Sequence, residues 1–523
     1  MTARSDAAAP SEAGLTAAAA TTGRTVLGGG AWSTAGRIIP QLYTLVLSIA
    51  AARFLTTGEF GRQSFIAFVE LSLVMLLTAG LPLALMRYIG ESLGRGRADV
   101  VRGLIRWAWA VEAAAAILGA GVLVAAAALG AEPTGAWALA GVACALGILH
   151  TVPSSLLIGA QLWRPATTAG LVNGGIATVA TVAVLAAGGG ITGMFAVEAV
   201  TSAAILVWTT ILARRAEVRI SPSTASAGEL QRQVTRWALV ATIGVALNFI
   251  VWRRSEFFFL DRFSSDTEIG LYSIAFSLVV AMTRLPEAFA DVITPAVATL
   301  YGAGAHERIT KGYSRAVRLL LILALPFTAA GFALGPAAIT AVWGDEYAGA
   351  TPPLLIMLGT FPLLPLLYVA RSALVGIGRQ RFLIAVSAVA AAVDISLAVT
   401  LVPRYDAVGA TLANGSAQLA AAIPLTLYAR RTFGQLDWAP AALLRTAVAS
   451  GAAGLAALAA VLLLGGLAGV LVGLAAGVIV FGALAAAVKI LPAEDAAWLD
   501  GALGRIAGGR LGRAALLFGQ RPR

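Results

Sequence analysis

Apolar residues along this chain come in runs of about twenty, parted by short stretches that hold most of the charge. Runs of that length match a bilayer core ~30 Å thick at a helical rise of 1.5 Å per residue. Fourteen such segments can be marked. Six lie at 32–54, 62–86, 103–128, 136–159, 166–188 and 191–213, and six more at 237–260, 270–298, 317–342, 352–376, 382–402 and 409–430. Two follow at 441–465 and 467–491. None shows the ~10-residue alternating pattern of a membrane β-barrel strand. The pattern predicts an all-α polytopic membrane protein with 14 transmembrane helices.

The punctuation between segments divides the chain. Residues 1–31 are small, polar and of low complexity, and they lack the basic start and apolar core of a signal peptide. They read as a disordered cytoplasmic tail. A six-helix bundle over 32–213, a cytoplasmic linker over 214–236 and a second six-helix bundle over 237–430 come next. Two extra transmembrane helices over 431–491 and a basic cytoplasmic tail over 492–523 complete the chain. Ser226 and Glu229 in the linker have the spacing of a capping box that opens a surface helix.

The two bundles repeat one another. Glu59-Phe60-Gly61 with Ser64 recurs as Glu268-Ile269-Gly270 with Ser273, an offset of 209. Gly159 in LIG matches Gly376 in LVG, and Gly190–Gly193 aligns with Asp406–Gly409, at offsets of 217 and 216. An even number of helices separates the copies, so both halves insert the same way. That predicts a pseudo-two-fold axis along the membrane normal with a site between the bundles at mid-depth.

Composition agrees. Hydrophobic residues make up 59% and charged residues 12%, against ~45–50% and ~25% in soluble domains. The net charge of +11 is explained by where the cations sit. With the N-terminus inside, twenty-eight of the 37 Arg and Lys fall on the cytoplasmic side, four outside (Arg53, Arg62, Arg262, Arg404) and five within spans. That bias places both termini in the cytoplasm. It makes anionic membrane lipids, not nucleic acid, the expected partner of the basic surface. One cysteine, Cys144, and two histidines, His150 and His306, leave no disulfide scaffold and no Cys/His metal cage. No Walker A loop, HExxH, CxxC or G-x-S-x-G is present, and the longest connection leaves no room for a soluble catalytic domain. Neither an enzyme nor a cofactor is expected.

Several short motifs stand at the ends of the spans. They are Arg53-Phe54-Leu55 with Gly58-Glu59-Phe60-Gly61, the stretch Gly80–Arg97, Phe263–Ser273, Gly344-Asp345-Glu346-Tyr347, and Pro403–Ala410. They occur in order over residues 32–430. The chain is therefore similar to Wzx-like O-antigen and exopolysaccharide flippases of the multidrug/oligosaccharidyl-lipid/polysaccharide exporter superfamily. Asp406 departs from the family's usual glycine, which a loop should tolerate. Asp394 departs from a commoner asparagine and puts a titratable group in a span. The resemblance implies flipping of undecaprenyl-diphosphate-linked oligosaccharide by alternating access in the bacterial cytoplasmic (inner) membrane. A functional monomer and contact with polysaccharide polymerase or export proteins are expected with it. A lipid II flippase, a cation/drug antiporter of the same superfamily and a non-transporting scaffold are the alternatives.

Charges within spans are the candidate chemistry, because each costs ~2.5–3.5 kcal/mol near the bilayer centre unless it faces a cavity or a partner. Guanidinium groups bind phosphate oxygens bidentately. The candidates for a diphosphate or sugar are Arg284, Arg253, Arg254, Arg37, Arg371 and Arg53. Arg284 shares a face with Glu287 and Asp291, so a structural ion pair is its plain alternative. Arg253 and Arg254 point ~100° apart, and Glu256 is spaced to pair with Arg253. Arg37 can snorkel to the surface, and Arg53 is as well placed to lock a helix end as to meet cargo. Candidates for ion coupling are Asp394, Glu287, Asp291, Glu70 and Glu198, with Glu112 also in a span. Asn414 and Gln418 suit sugar hydroxyls or, more commonly, hydrogen bonds between helices.

Overall fold

The computed structural model describes residues 36, 39–78, 80–94, 97–217, 228–252, 255–434, 437–507 and 516–520. The 1–31 tail, Arg37, Arg253 and Arg254 lie outside the described residues, as do Ser226 and parts of both basic linker and tail. Among the described residues the fold is helical, with one isolated bridge between Leu491 and Gly519. Helices run in order α1 Ile39–Phe54, α2 Thr57–Thr78, α3 Leu81–Gly94, α4 Ala98–Ala128, α5 Thr134–Gly159, α6 Trp163–Ala186 and α7 Gly190–Glu217. Then come α8 Gly228–Trp252, α9 Glu256–Phe263, α10 Asp266–Gly302, α11 His306–Val342, α12 Thr351–Thr360 and α13 Leu364–Gly376. The chain closes with α14 Gln380–Phe433, α15 Pro440–Leu464, α16 Gly466–Val488 and α17 Ala493–Ala507.

The described residues of the fourteen apolar segments fall largely on helix. Among the described residues eleven helical stretches are long and apolar enough to cross a membrane, and the chain is a multi-span membrane protein. The first segment is described as a shorter apolar helix, Ile39–Phe54. The second divides into α2 and α3 around Gly80 and Pro82. The seventh divides into α8 and α9, and α8 absorbs the surface helix expected after Ser226. The eleventh and twelfth form the 54 residues of α14, parted at Asp406 by non-helical backbone.

Asp406 adopts φ 49°, a left-handed value that favours glycine. The expectation that aspartate is neutral there is thus corrected: the backbone turn between two spans wants glycine. Its carboxylate compensates by accepting a 2.5 Å hydrogen bond from Ser264 Oγ. Gly409 is required in the same turn, because a Cβ there would run into the Leu401 carbonyl.

By contact the chain forms two compact units, one of Met1–Leu47 and Glu70–Thr242, the other of Ser48–Val69 and Ile243–Arg523. The units do not follow the chain linearly. Their boundary passes through α1 and α2, so the end of α1 and the start of α2 pack with the second half of the sequence.

The first unit centres on Leu85 and Ile89 of α3, Leu104 and Ala108 of α4 and Val152 and Leu156 of α5, sealed by Val234 of α8. The main core of the second unit joins Val317 and Leu321 of α11, Leu367 and Leu374 of α13, Val386 and Leu425 of α14 and their neighbours. Helices α15 and α16 make a hairpin that turns on Gly465 and Gly466, both at positive φ. Its seam is built of small residues: a Cβ on Gly473 would lie 2.8 Å from the Ala457 carbonyl, and Gly454 packs on Ala329 of α11. Lipid gives helices no hydrophobic reason to associate, so such close approach supplies the attraction.

Ions fasten the hairpin's other end. Asp495 of α17 is fully buried and accepts from Arg318 (Nη2, 2.7 Å; Nε, 2.5 Å) and from Arg315 Nε (3.0 Å). Arg318 also donates to the carbonyl and carboxylate of Asp437 at 2.9 and 3.1 Å. The tail returns to the end of α16, with Leu491 N donating to Phe518 O and Gln520 N to Leu491 O.

Candidate transport site

The second unit holds a polar network that its apolar surroundings do not explain. Glu256, at the first position of α9, and Asp394, mid-way along the first half of α14, are both fully buried. Asp394 stands twelve residues before the Asp406 turn, so ~18 Å along its helix. Ser255 Oγ donates to Asp394 Oδ2 at 3.0 Å. Asn414 Nδ2 donates to Glu256 Oε1 at 2.6 Å, and Gln418 Nε2 donates to Asn414 Oδ1 at 2.7 Å. Tyr272 of α10 completes the set, beside Glu256.

The other two carboxyl oxygens, Glu256 Oε2 and Asp394 Oδ1, have no protein donor. The two carboxyls lie within hydrogen-bonding reach of one another. Two bare carboxylates at that separation in a dry interior repel strongly. A proton shared between them, or a cation held by them, removes the repulsion and satisfies both orphan oxygens. Among the described residues no cluster of three or more His, Cys, Asp or Glu is present, so the oxygen ligands of a small cation would include Ser255 and the Asn and Gln amides.

A second polar group links α10 and α13. Tyr368 Oη donates to Glu287 Oε1 at 3.2 Å, and Arg371, an exposed side chain one turn on, interacts electrostatically with both. Thr294 Oγ1 donates to Ser372 O at 3.2 Å and holds the same two helices together. Arg284 and Asp291 lie on α10 either side of Glu287, but their side chains are outside the described set.

In the first unit, Glu70 and Glu112 are buried, with one and both oxygens respectively lacking a hydrogen-bond partner, while Glu198 is exposed. Glu70 and Glu198 are close enough to interact through their charges. Arg53 acts on the second unit's own backbone. Its Nε and Nη2 donate to the carbonyls of Val342 and Ala341 at 3.0 Å each, capping the C-terminus of α11 where the last carbonyls lack helical partners. The helix end it locks is that of α11.

At the same arginine-poor end, Arg62 of α2 bridges Asp261 of α9 (Nη1, 3.1 Å) and Asp266 of α10 (Nε, 3.1 Å). Asp261 lies beyond the apolar segment. Burial pushes its carboxyl above the ordinary range, against the pull of Arg62.

Sequence reasoning found Asp394 because a charge inside an apolar run stands out. It missed Glu256, which is spaced to pair with Arg253 and so reads as an ordinary ion pair; of Asn414 and Gln418, offered to sugar hydroxyls or to hydrogen bonds between helices, Asn414 makes such a bond, to Glu256. Their spacing of four, one face of one helix, was the available signal.

Comparison with known proteins places this chain in a family. A model described as polysaccharide biosynthesis protein matches residues 26–301, just over half the chain. The chain belongs to that family. A second model, MatE, matches residues 233–400. No curated protein matches the chain.

Among solved structures, this family member is similar to the lipid II flippase MurJ in an inward closed conformation. The TM-score is 0.66 at 12% identity, over 88% of this chain and 98% of that one. It is similar to an inward-facing multidrug resistance MATE family transporter of the MOP superfamily, with TM-score 0.62, 14% identity and 78% and 99% coverage. A MOP superfamily transporter from Pyrococcus furiosus gives 0.57 at 15% identity, over 79% and 96%. The fold is that of the MOP superfamily.

Proposed function

We propose that this protein is a flippase that moves undecaprenyl-diphosphate-linked oligosaccharide across the bacterial cytoplasmic membrane. The observation that carries the reading is a polysaccharide-biosynthesis family match on a chain with a transporter fold. A saccharide intermediate built on a lipid must change leaflets before polymerisation outside, and a fold of spans without a soluble domain is suited to that step rather than to bond making.

In this reading the arginine-rich face is cytoplasmic, with both termini there, and the cycle is alternating access. Arg284 and Arg371 are the foremost candidates for the diphosphate, because planar guanidinium groups match its oxygens and its two negative charges. Arg253, Arg254 and Arg37 are candidates on position alone. The Glu256–Asp394 pair is the candidate coupling site: loading and release of a proton or cation there changes the net charge of a buried cluster, and hence the relative stability of conformations. Glu70, Glu198, Glu287 and Asp291 are subsidiary candidates.

The MatE match over 233–400 favours a cation or drug antiporter as the second reading. The test is transport in proteoliposomes of a fluorescent undecaprenyl-diphosphate oligosaccharide against a cationic dye, with wild type and Arg284→Ala. Flipping of the glycolipid that is lost in the variant is the expected result. Gradient-driven dye efflux without flipping would overturn the reading in favour of the antiporter. Flipping of lipid II alone would move the cargo to the cell wall, and movement of neither would leave a scaffold.

A further inference from the structure

The repeated motif is not explained by cargo or coupling, yet both of its copies meet in space. Thr56 and Glu59 form a capping box at the start of α2: Thr56 N and Oγ1 donate to Glu59 Oε2 at 2.9 Å, and Glu59 N donates to Thr56 Oγ1 at 3.3 Å. Ser265 and Glu268, at the same offset of 209, begin the equivalent box on α10, where Glu268 N donates to Ser265 Oγ at 3.3 Å. Two residues on, the paired glycines touch. A Cβ on Gly61 would run into the Asp266 carbonyl, and one on Gly270 would lie 2.9 Å from Thr57 O and 3.3 Å from Gly61 N. The N-terminal turns of α2 and α10 therefore cross backbone on backbone, and the equivalent serines Ser64 and Ser273 are buried just behind the crossing.

Position 62 breaks the symmetry of the repeat. Its counterpart is Leu271, whereas Arg62 straddles the crossing and grips Asp261 and Asp266 at 3.1 Å each. Around it, Trp343 Nε1 donates to Ser48 Oγ at 3.1 Å, and Phe60 stacks edge-on against Tyr347 at 5.7 Å. All of these contacts fasten the stretch Ser48–Val69 to α9–α11 and the turn after α11, and the stretch is continuous at both ends with the other compact unit.

We propose that the Gly61–Gly270 crossing and the Arg62 clasp are the outer closure of the transporter, a seal that parts once in each cycle. The glycines let two helix starts meet without a gap, and Arg62 is the polar catch that sets how long they stay together. Parting frees Ser48–Val69 from α9–α11. The inference rests on the alternating-access reading for its purpose, though not for its geometry.

The experiment is a double-cysteine variant, Arg62→Cys with Asp266→Cys, in proteoliposomes. Cys144, the one native cysteine, is buried and does not compete. Oxidation should close the pair and lower transport more than about tenfold, and reductant should restore it. Undiminished transport by the oxidised protein would show a static joint and overturn the proposal.

A second measurement needs no cargo. Ser64→Cys serves as reporter for a membrane-impermeant maleimide added outside. Arg62→Ala, which introduces no clash, should raise its labelling roughly three- to fivefold, the worth of a part-exposed ion pair. Gly270→Leu should raise it further. Unchanged labelling in a folded Arg62→Ala protein would also overturn the closure. Raised labelling without any glycolipid flipping would leave the closure standing and sink the cargo reading alone.

Discussion

Asp495 and Asp394 are both fully buried aspartates of the same compact unit, and their surroundings are opposite. Asp495 receives hydrogen bonds from two arginines, one of which also grips Asp437. Its charge is compensated and its oxygens are occupied. Asp394 has one serine, a second carboxyl beside it and an oxygen with no donor. A complete ion cluster holds structure together. An incomplete one leaves oxygens open, and two neighbouring carboxyls suit a proton or a small cation. Buried charge is thus not by itself a sign of function; the state of its partners is.

Removing each carboxylate should separate the two. Asp495→Ala takes from the buried Arg318 its buried counter-ion and leaves it only the exposed Asp437 carboxylate, at a cost of about 3–5 kcal/mol. A large fall in the thermal unfolding midpoint in detergent is expected, with loosening of α15–α17, and a midpoint near wild type would contradict the pin. Overpacking the hairpin seam with Gly473→Leu should cost less, about 1–3 kcal/mol, visible in the same unfolding scan.

Asp406→Ala should cost about 1–2 kcal/mol, since it keeps the strained φ and loses the Ser264 bond. Asp406→Gly should be close to neutral, and equal losses for the two would remove the conformational argument. Asp394→Asn sharpens the comparison most. It relieves repulsion with Glu256, so its midpoint should match or exceed wild type while gradient-dependent transport disappears.

The helices and the repeat were legible in the sequence because hydrophobic runs and offset motifs are local. The Glu59–Gly61 and Glu268–Gly270 copies were visible as a repeat; that their glycines touch was not, because contact between segments about two hundred residues apart leaves no local mark. For the same reason a linear division gave Ser48–Val69 to the first bundle, whereas its packing is with the second half of the chain. Arg53 offered two roles from position alone, and its bonds to the α11 carbonyls, almost three hundred residues on, leave no local mark in the sequence. Asp394 could be picked out as a lone charge among Ala and Val. Glu256 could not, since Arg253 three residues before it supplied a sufficient explanation.

The central claim is that the Glu256–Asp394 pair couples an ion to movement of a lipid-linked saccharide. Its most direct test is flipping of a fluorescent undecaprenyl-diphosphate oligosaccharide in proteoliposomes, by wild type and Asp394→Asn, under imposed proton or sodium gradients. The account predicts that one gradient accelerates the wild type and that the variant, equally stable, ignores it. A variant that still responds to the gradient as the wild type does would contradict it.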